Sequence, residues 1–369
     1  MESAYPAKVR PGSGRVTATD DAQVVQIKFI LSDPHANPVP PPRETLSDRI
    51  LLGLFETGDD IIFSLVNTLI GGMTGAGKSG VLNILIRALA KIPNVALILV
   101  DLKPGAPEFT PWRSVAHSVI SSPEDLSVAL DQLMLGMHTR GEIMARRGWK
   151  KWRPTRSQPH VVVIVDEVQG VKKAGLGGKL DTAIGLVRAY AITFVVATQY
   201  PTDANVSMTV KEQCPQKIGL AVEDQYGENA VFGPRAARQG WNISEIPMEG
   251  YLLIRSPQYR TPVRGRSYFM ADEDIPAEAA RLAEQRTVIS EDWMELDAGS
   301  GMPEVVDAVV IESDPVETVF GVVCGKSAIT AREVADRSGL PLRTVQRHLK
   351  VLISGNRIVK DSGGYSEMP

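Results

Sequence analysis

Residues 66–91 carry the most restrictive pattern in the chain: a β-rich apolar run, VNTLIGG (66–72), then a glycine-rich turn, then a helix-like segment at about 78–91. The turn reads Gly72, Met73, Thr74, Gly75, Ala76, Gly77, Lys78, Ser79, Gly80, and its first eight residues match GxxxxGK[ST] in full. Glycines are required because backbone N–H groups must wrap a phosphate at the start of a helix, where side chains would block the approach and the dipole favours an anion. Lys78 then reaches the β and γ phosphates, and Ser79 binds Mg²⁺. The alternative, an ordinary glycine-rich strand-to-helix turn, is disfavoured by the strand before it and the helix after it. These residues imply ATP and Mg²⁺ as ligands.

Further apolar runs follow: VALILVD (95–101), VVVIVDE (161–167) and FVVATQ (194–199), separated by helix-like segments at about 123–147 and 178–190. Runs that are continuous rather than alternating imply strands buried on both faces, hence an α/β fold with a parallel sheet covered by helices. Residues 50–66 form two apolar runs around a Thr57-Gly58-Asp59 turn and read as a β-hairpin. QKIGLAV (216–222) and GYLLIRS (250–256) read as added edge strands. Residues 1–45 read as an arm and Pro-rich linker in which QVVQIKFIL (23–31) could form one strand, residues 46–284 as the main domain, 285–317 as an acidic linker and 318–369 as a second domain.

VVVIVDE projects Asp166 and Glu167 from the end of a buried strand toward the edge that carries the phosphate loop. Asp166 would hold Mg²⁺ through water, and Glu167 would orient or deprotonate an attacking water, since phosphoryl transfer is mostly positioning and electrostatics. The competing reading is two acids that merely end a strand. Gln199, at the end of FVVATQ, could sense the γ phosphate or simply cap the strand.

Charge taken over the whole chain, 40 basic against 43 acidic residues, argues against nucleic acid, but the sum hides asymmetry. Residues 272–317 hold 14 acids and two bases, residues 326–369 hold eight bases and four acids, and the remainder carries a net charge of +5. Two distant cysteines give no disulfide framework or CxxC metal site, and no apolar stretch approaches the ~20 residues of a membrane span. The reading is a cytoplasmic protein.

GGMTGAGKS, VDLKPG (Val100–Gly105), VVVIVDE and ATQYPTDANV (Ala197–Val206), in this order, resemble the motor domain of the FtsK/SpoIIIE family of double-stranded DNA translocases over residues 50–271. EDQYGENAVFGPRAARQGW (Glu223–Trp241) is similar to the FtsK-like transfer proteins, of the TraB and TraSA type, of actinobacterial conjugative plasmids and integrative elements. The resemblance implies a RecA-like P-loop NTPase working as a homo-oligomeric ring, usually a hexamer, that threads duplex DNA. It carries nucleotide roles onto Lys78, Ser79, Asp166, Glu167 and Gln199, and leaves Lys103 without a role. It also leaves room for a membrane-anchored partner protein. The family's usual arginine is missing from GENAVFG (Gly227–Gly233), with Arg235 and Arg238 just downstream.

The stretch from His138 to Arg156 holds Arg140, Arg146, Arg147, Lys150, Lys151, Arg153 and Arg156 with Trp149 and Trp152 interleaved, which suits phosphate-backbone contact or a solvated helix end over packed tryptophans. GVKKAGLGGK (Gly170–Lys179) is mobile by composition and reads as either a pore loop or a plain surface loop. In residues 318–369 a helix over 331–338, a Gly339-Leu340-Pro341 turn, a helix over 343–354 and a strand-like hairpin read as a winged helix-turn-helix, the alternative being a helix-turn-helix used for protein contact. Arg343, Thr344, Gln346, Arg347 and Lys350 stay on its exposed face, where such residues meet bases and phosphates. The whole reads as an ATP-hydrolysing DNA motor with a sequence-reading tail, in conjugative transfer. The rival readings are a nucleotide-switched DNA-binding regulator and an FtsK-like protein-secretion ATPase.

Overall fold

In the computed structural model, the described residues are 14–18, 25–29, 34–43, 49–289 except 203, and parts of 330–367. The chain divides into two compact units, Met1–Val309 and Val310–Pro369. Within the first, β1 (Gly14–Ala18) and β2 (Val25–Phe29) make a separate antiparallel ribbon.

The main sheet has ten strands: β3 (Ile50–Phe55), β4 (Asp60–Phe63), β5 (Thr68–Gly71), β6 (Val95–Val100), β7 (Ser118–Ile120), β8 (His160–Val165), β9 (Ile192–Thr198), β10 (Gln216–Leu220), β11 (Tyr251–Arg255) and β12 (Arg264–Ser267). Their order is β4-β3-β12-β11-β10-β5-β9-β8-β6-β7. The six strands from β10 to β7 run parallel, and β11, β12, β3 and β4 add on in antiparallel fashion. β6 is buried along its whole length, as is β9, so the continuous apolar runs do mark strands covered on both faces. Alternate residues of β6, β8 and β9 pack with α2 (Pro123–Arg147), α4 (Gly177–Leu186) and the shorter α3 (Val168–Lys173). α1 (Lys78–Leu89) lies against β3, β6, β12 and α7 (Ile275–Leu282). α5 (Met208–Gln213) and α6 (Gln225–Phe232) flank β10 in sequence.

Two expectations need correction. β10 and β11 are interior strands, because β12 and the β3–β4 hairpin extend the sheet beyond them; among the described residues its edges are β4 and β7. The 170–179 segment is not a loop but the end of α3 and the start of α4, which bury Val168, Val171, Leu180, Ala183 and Ile184 around a tight turn at Gly175, φ +77°. Packed chain continues past residue 284: Thr287 Oγ1 donates to the Pro93 carbonyl at 2.6 Å and the Ile289 amide to His117 Nδ1 at 3.2 Å.

In the second unit, α8 (Ala331–Ser338) starts with a capping box: the Thr330 amide donates to Glu333 at 2.9 Å and the Glu333 amide donates back to Thr330 Oγ1 at 3.3 Å. Val345, Gln346, Leu349, Leu352 and Ile353 are helical, with Val345, Leu349 and Leu352 buried and Gln346 exposed. β13 (Ile358–Lys360) pairs antiparallel with β14 (Tyr365–Glu367). Arg343, Thr344, Arg347 and Lys350 lie outside the described residues.

Candidate nucleotide site at the carboxyl edge of the parallel strands

Parallel strands end together, so β5, β6, β8 and β9 deliver Gly72, Asp101, Asp166 and Gln199 to one edge of the sheet. From β5 the chain turns through Gly72–Gly77 into α1. Gly75 and Gly77 have φ +82° and +96°, in the left-handed region where a side chain is strained. A Cβ on Gly77 would also lie 2.4 Å from the Gly250 amide, which donates to the Ala76 carbonyl at 2.9 Å and fastens the loop from behind. A Cβ on Gly72 would likewise lie 2.7 Å from Leu220 Cβ, and the Met73 amide donates to the Ala221 carbonyl at 2.8 Å. Gly80, one turn into α1, has open space at its Cβ position, so no packing contact requires glycine there.

Lys78 is buried and donates to the carboxylate Oδ1 of Asp166, and to the Asp166 carbonyl at 3.0 Å. Asp166 is fully buried, and its Oδ2 accepts from Lys103 Nζ at 2.6 Å. Burial alone would raise the Asp166 pKa, but the two ammonium groups outweigh it and hold the carboxyl below its ordinary range. Lys103 is the residue that sequence reasoning left without a role. The β6–β8 register, Val100 opposite Val165, sets the Asp101 turn beside Asp166, and the Asp101 carboxylate accepts from the amides of Lys103 at 3.1 Å and Glu108 at 3.2 Å. That turn also presents Glu108, which was missed altogether: its Oε2 accepts from Ser79 Oγ at 2.9 Å. Burial, reinforced by the Asp166 charge, pushes the Glu108 carboxyl up, against the Ser79 hydrogen bond and the two lysines. The only signal in sequence was an acidic residue just after a strand and a few residues before another acid.

Glu167 points to its neighbour strand. Its carboxylate accepts from Thr198 Oγ1 at 2.8 Å and from the Gln199 amide at 2.8 Å, while Gln199 Oε1 accepts from Thr74 Oγ1 at 3.2 Å. A chain of hydrogen bonds therefore joins the phosphate loop, the end of β9 and the end of β8. Ser79, Asp166 and Glu108 would offer Mg²⁺ oxygen donors, the ligand type that suits it, with its remaining positions usually filled by water and substrate phosphates.

The structure separates the 138–156 stretch. Arg140 is fully buried: its guanidinium donates to the carbonyls of Tyr190 at 2.6 Å, Ala191 at 3.2 Å and Pro159 at 2.8 Å, and it lies 5.0 Å from the Trp152 ring. Arg140 and Trp152 are therefore structural. Arg235 and Arg238 are exposed on the turn after α6, Arg235 with φ +67°.

Residues 41–208 match the model of the FtsK/SpoIIIE family. Similar curated proteins include the DNA translocase FtsK of Bacillus anthracis, 25% identical over 85% of this chain, and that of Corynebacterium glutamicum, 27% identical over 71%. The chain spans about two fifths of the first relative (41%) and 32% of the second. Among solved structures, the pCW3 conjugation coupling protein TcpA, in a monomer form with ATPgS, superposes with TM-score 0.57 and 18% identity over 73% of this chain and 80% of that one. The cytoplasmic domain of the Thermomonospora curvata type VII secretion ATPase EccC superposes with TM-score 0.54 and 20% identity over 71% of this chain and 34% of that one. These likenesses establish a shared fold.

Proposed function

We propose that this protein is an FtsK/SpoIIIE-type ATPase that moves double-stranded DNA. The observation that carries the proposal is the Gly72–Ser79 loop at the start of α1 with Lys78 held over Asp166, inside a segment that matches this family. ATP phosphates would take hydrogen bonds from the loop amides and draw Lys78 away from Asp166, freeing that carboxylate to join Ser79 at Mg²⁺. Mg²⁺ supplies charge neutralisation at the phosphates. Glu167 orients the attacking water, and Gln199, tied to both Thr74 and Glu167, senses whether the γ phosphate is present. The motor works as a ring, a hexamer in the family's usual form, with a neighbour's arginine completing the site; Arg235 and Arg238 are the exposed candidates.

The tail completes the function. Its basic charge and its helix, helix, hairpin order support a winged helix-turn-helix that reads DNA through Arg343, Thr344, Gln346, Arg347 and Lys350. A role in conjugative transfer, of the TraB and TraSA type and with a membrane-anchored partner, accords with the fold shared with a conjugation coupling protein. A strand-displacement assay on duplex DNA tests the motor: ATP-dependent displacement is expected, and displacement equal with and without ATP refutes it. Lys78→Ala should abolish DNA-stimulated ATP turnover. Deleting residues 318–369 should keep stimulation by arbitrary duplex and remove preference for a cognate sequence.

A further inference from the structure

The arginines and lysines that remain after Arg140 is withdrawn into the core form a surface of their own. α2 ends at Arg147 in a glycine cap: Gly148 has φ +65°, and the Trp149 amide donates to the Met144 carbonyl at 2.9 Å. Trp152 then anchors the following loop, its amide donating to the Ala189 carbonyl at 2.9 Å and its ring meeting Trp149 edge-on at 6.0 Å. On this support the Arg147 and Arg153 guanidiniums both lie over the Trp149 ring, 5.0 and 5.1 Å from its centroid. Arg146, Lys150 and Arg156 are exposed around them, and among the described residues no carboxylate forms an ion pair with any of the five. Favourable interaction with the helix dipole accounts for Arg146 and Arg147 in the last turn of α2. It does not account for Lys150, Arg153 and Arg156, which follow the helix.

The location is equally specific. The loop runs into β8 at His160 and is hydrogen-bonded to the segment that enters β9 at Ile192, so it sits at the amino edge of the parallel strands. The nucleotide site is at the carboxyl edge. We infer that this loop is a second contact surface for the phosphate backbone of duplex DNA, on the side of the motor away from ATP. The inference rests on the DNA reading above and extends it to a surface that no nucleotide motif touches.

The chemistry favours a polyphosphate backbone. A guanidinium stacked on an indole keeps its N–H edge free for paired hydrogen bonds to phosphate oxygens. Two such groups are held no more than about 10 Å apart, and a duplex carries one charge per about 1.7 Å of its axis, so both engage phosphates at once. Because the loop is fixed by its cap and by Trp152, little side-chain and loop entropy remains to be lost on binding.

The test is the salt dependence of duplex binding by the full chain without nucleotide, from 50 to 200 mM salt. Each phosphate contact removed should make the log–log slope shallower by about 0.9. R147Q/K150Q/R153Q should flatten the slope by about 2 to 3 and weaken binding at 50 mM at least tenfold, with basal ATP turnover unchanged. K150Q/R156Q, which leaves the stacked arginines in place, should flatten it by about 1 to 2 and guards against a folding defect in the first variant. Wild-type slopes in both variants overturn the inference. So does loss of binding to phosphatidylglycerol vesicles with duplex binding intact, which would make the surface a membrane contact. A wild-type chain that binds no duplex at all overturns both the inference and the DNA reading beneath it.

Discussion

Removing Asp166 should expose the electrostatic cost of the buried Lys78–Asp166 pair at the candidate nucleotide site. Lys78 and Asp166 show side-chain exposures of 4% and 0%, so Asp166→Ala leaves a buried ammonium without its ion-pair partner, with Glu108 as the remaining nearby carboxylate. Breaking a buried pair from one side costs about 3–5 kcal/mol. The lower end applies here, because Lys78 keeps its bond to the residue 166 carbonyl and Lys103, at 45% exposure, can turn to water. Asp166→Ala is thus expected to lose about 3 kcal/mol of stability. Lys78→Met combined with Asp166→Ala removes the stranded charge and should recover about 2 kcal/mol of that loss, since apolar replacement of a buried pair is often near neutral. Urea unfolding followed by tryptophan fluorescence reads the correct unit, because all five tryptophans precede residue 309. The depressed Asp166 pKa adds a pH signature: its contribution is complete above the ordinary carboxylate range and is lost as pH falls through the lowered folded value. An Asp166→Ala protein within about 1 kcal/mol of wild type, or a double variant as unstable as the sum of its singles, would contradict a buried, mutually dependent pair.

Gly77→Ala should destabilise the chain by about 1–3 kcal/mol from backbone strain alone, because φ is +96° and the new Cβ meets the Gly250 amide at 2.4 Å; wild-type thermal stability with wild-type ATP binding would count against the loop geometry. Arg140→Met strands three carbonyls and should cost about 3 kcal/mol or more while leaving DNA affinity of the folded protein unchanged; a large affinity loss at unchanged stability would return Arg140 to the DNA surface. Glu278 is held down to about 2 by its hydrogen bond from Arg281 and by Arg87, against burial. Its stabilising contribution is full above pH 4.5 and fades as pH falls toward 2, so Glu278→Gln should make acid unfolding shallower over that window.

The phosphate loop was legible because its requirement is local. A glycine forced to positive φ, a lysine one residue on and a helix start lie within nine residues, and the continuous apolar runs on either side announce buried parallel strands. Lys103 and Glu108 were illegible for the opposite reason. Each meets its partner, Asp166 or Ser79, only because β6 lies beside β8 in one particular register and Asp101 folds the intervening turn, and neither fact leaves a periodic trace. The basic stretch shows a subtler limit. Seven cations in 19 residues look alike in sequence, yet one of them caps carbonyls in the core and others stack on a surface tryptophan.

Local sequence was enough for the chemistry on offer: a phosphate-wrapping turn, two strand-end carboxylates, a buried parallel sheet and a basic stretch after an acidic one. It sufficed because turn geometry, strand burial and charge density depend on residues close together in the chain. Which ammonium rests on which carboxylate, where the sheet ends and which arginines face water came only with the packed chain. Those outcomes turn on strand order and register, which bring together residues as distant as Lys78 and Asp166, and burial then makes the difference between a paired and an unpaired charge worth several kcal/mol.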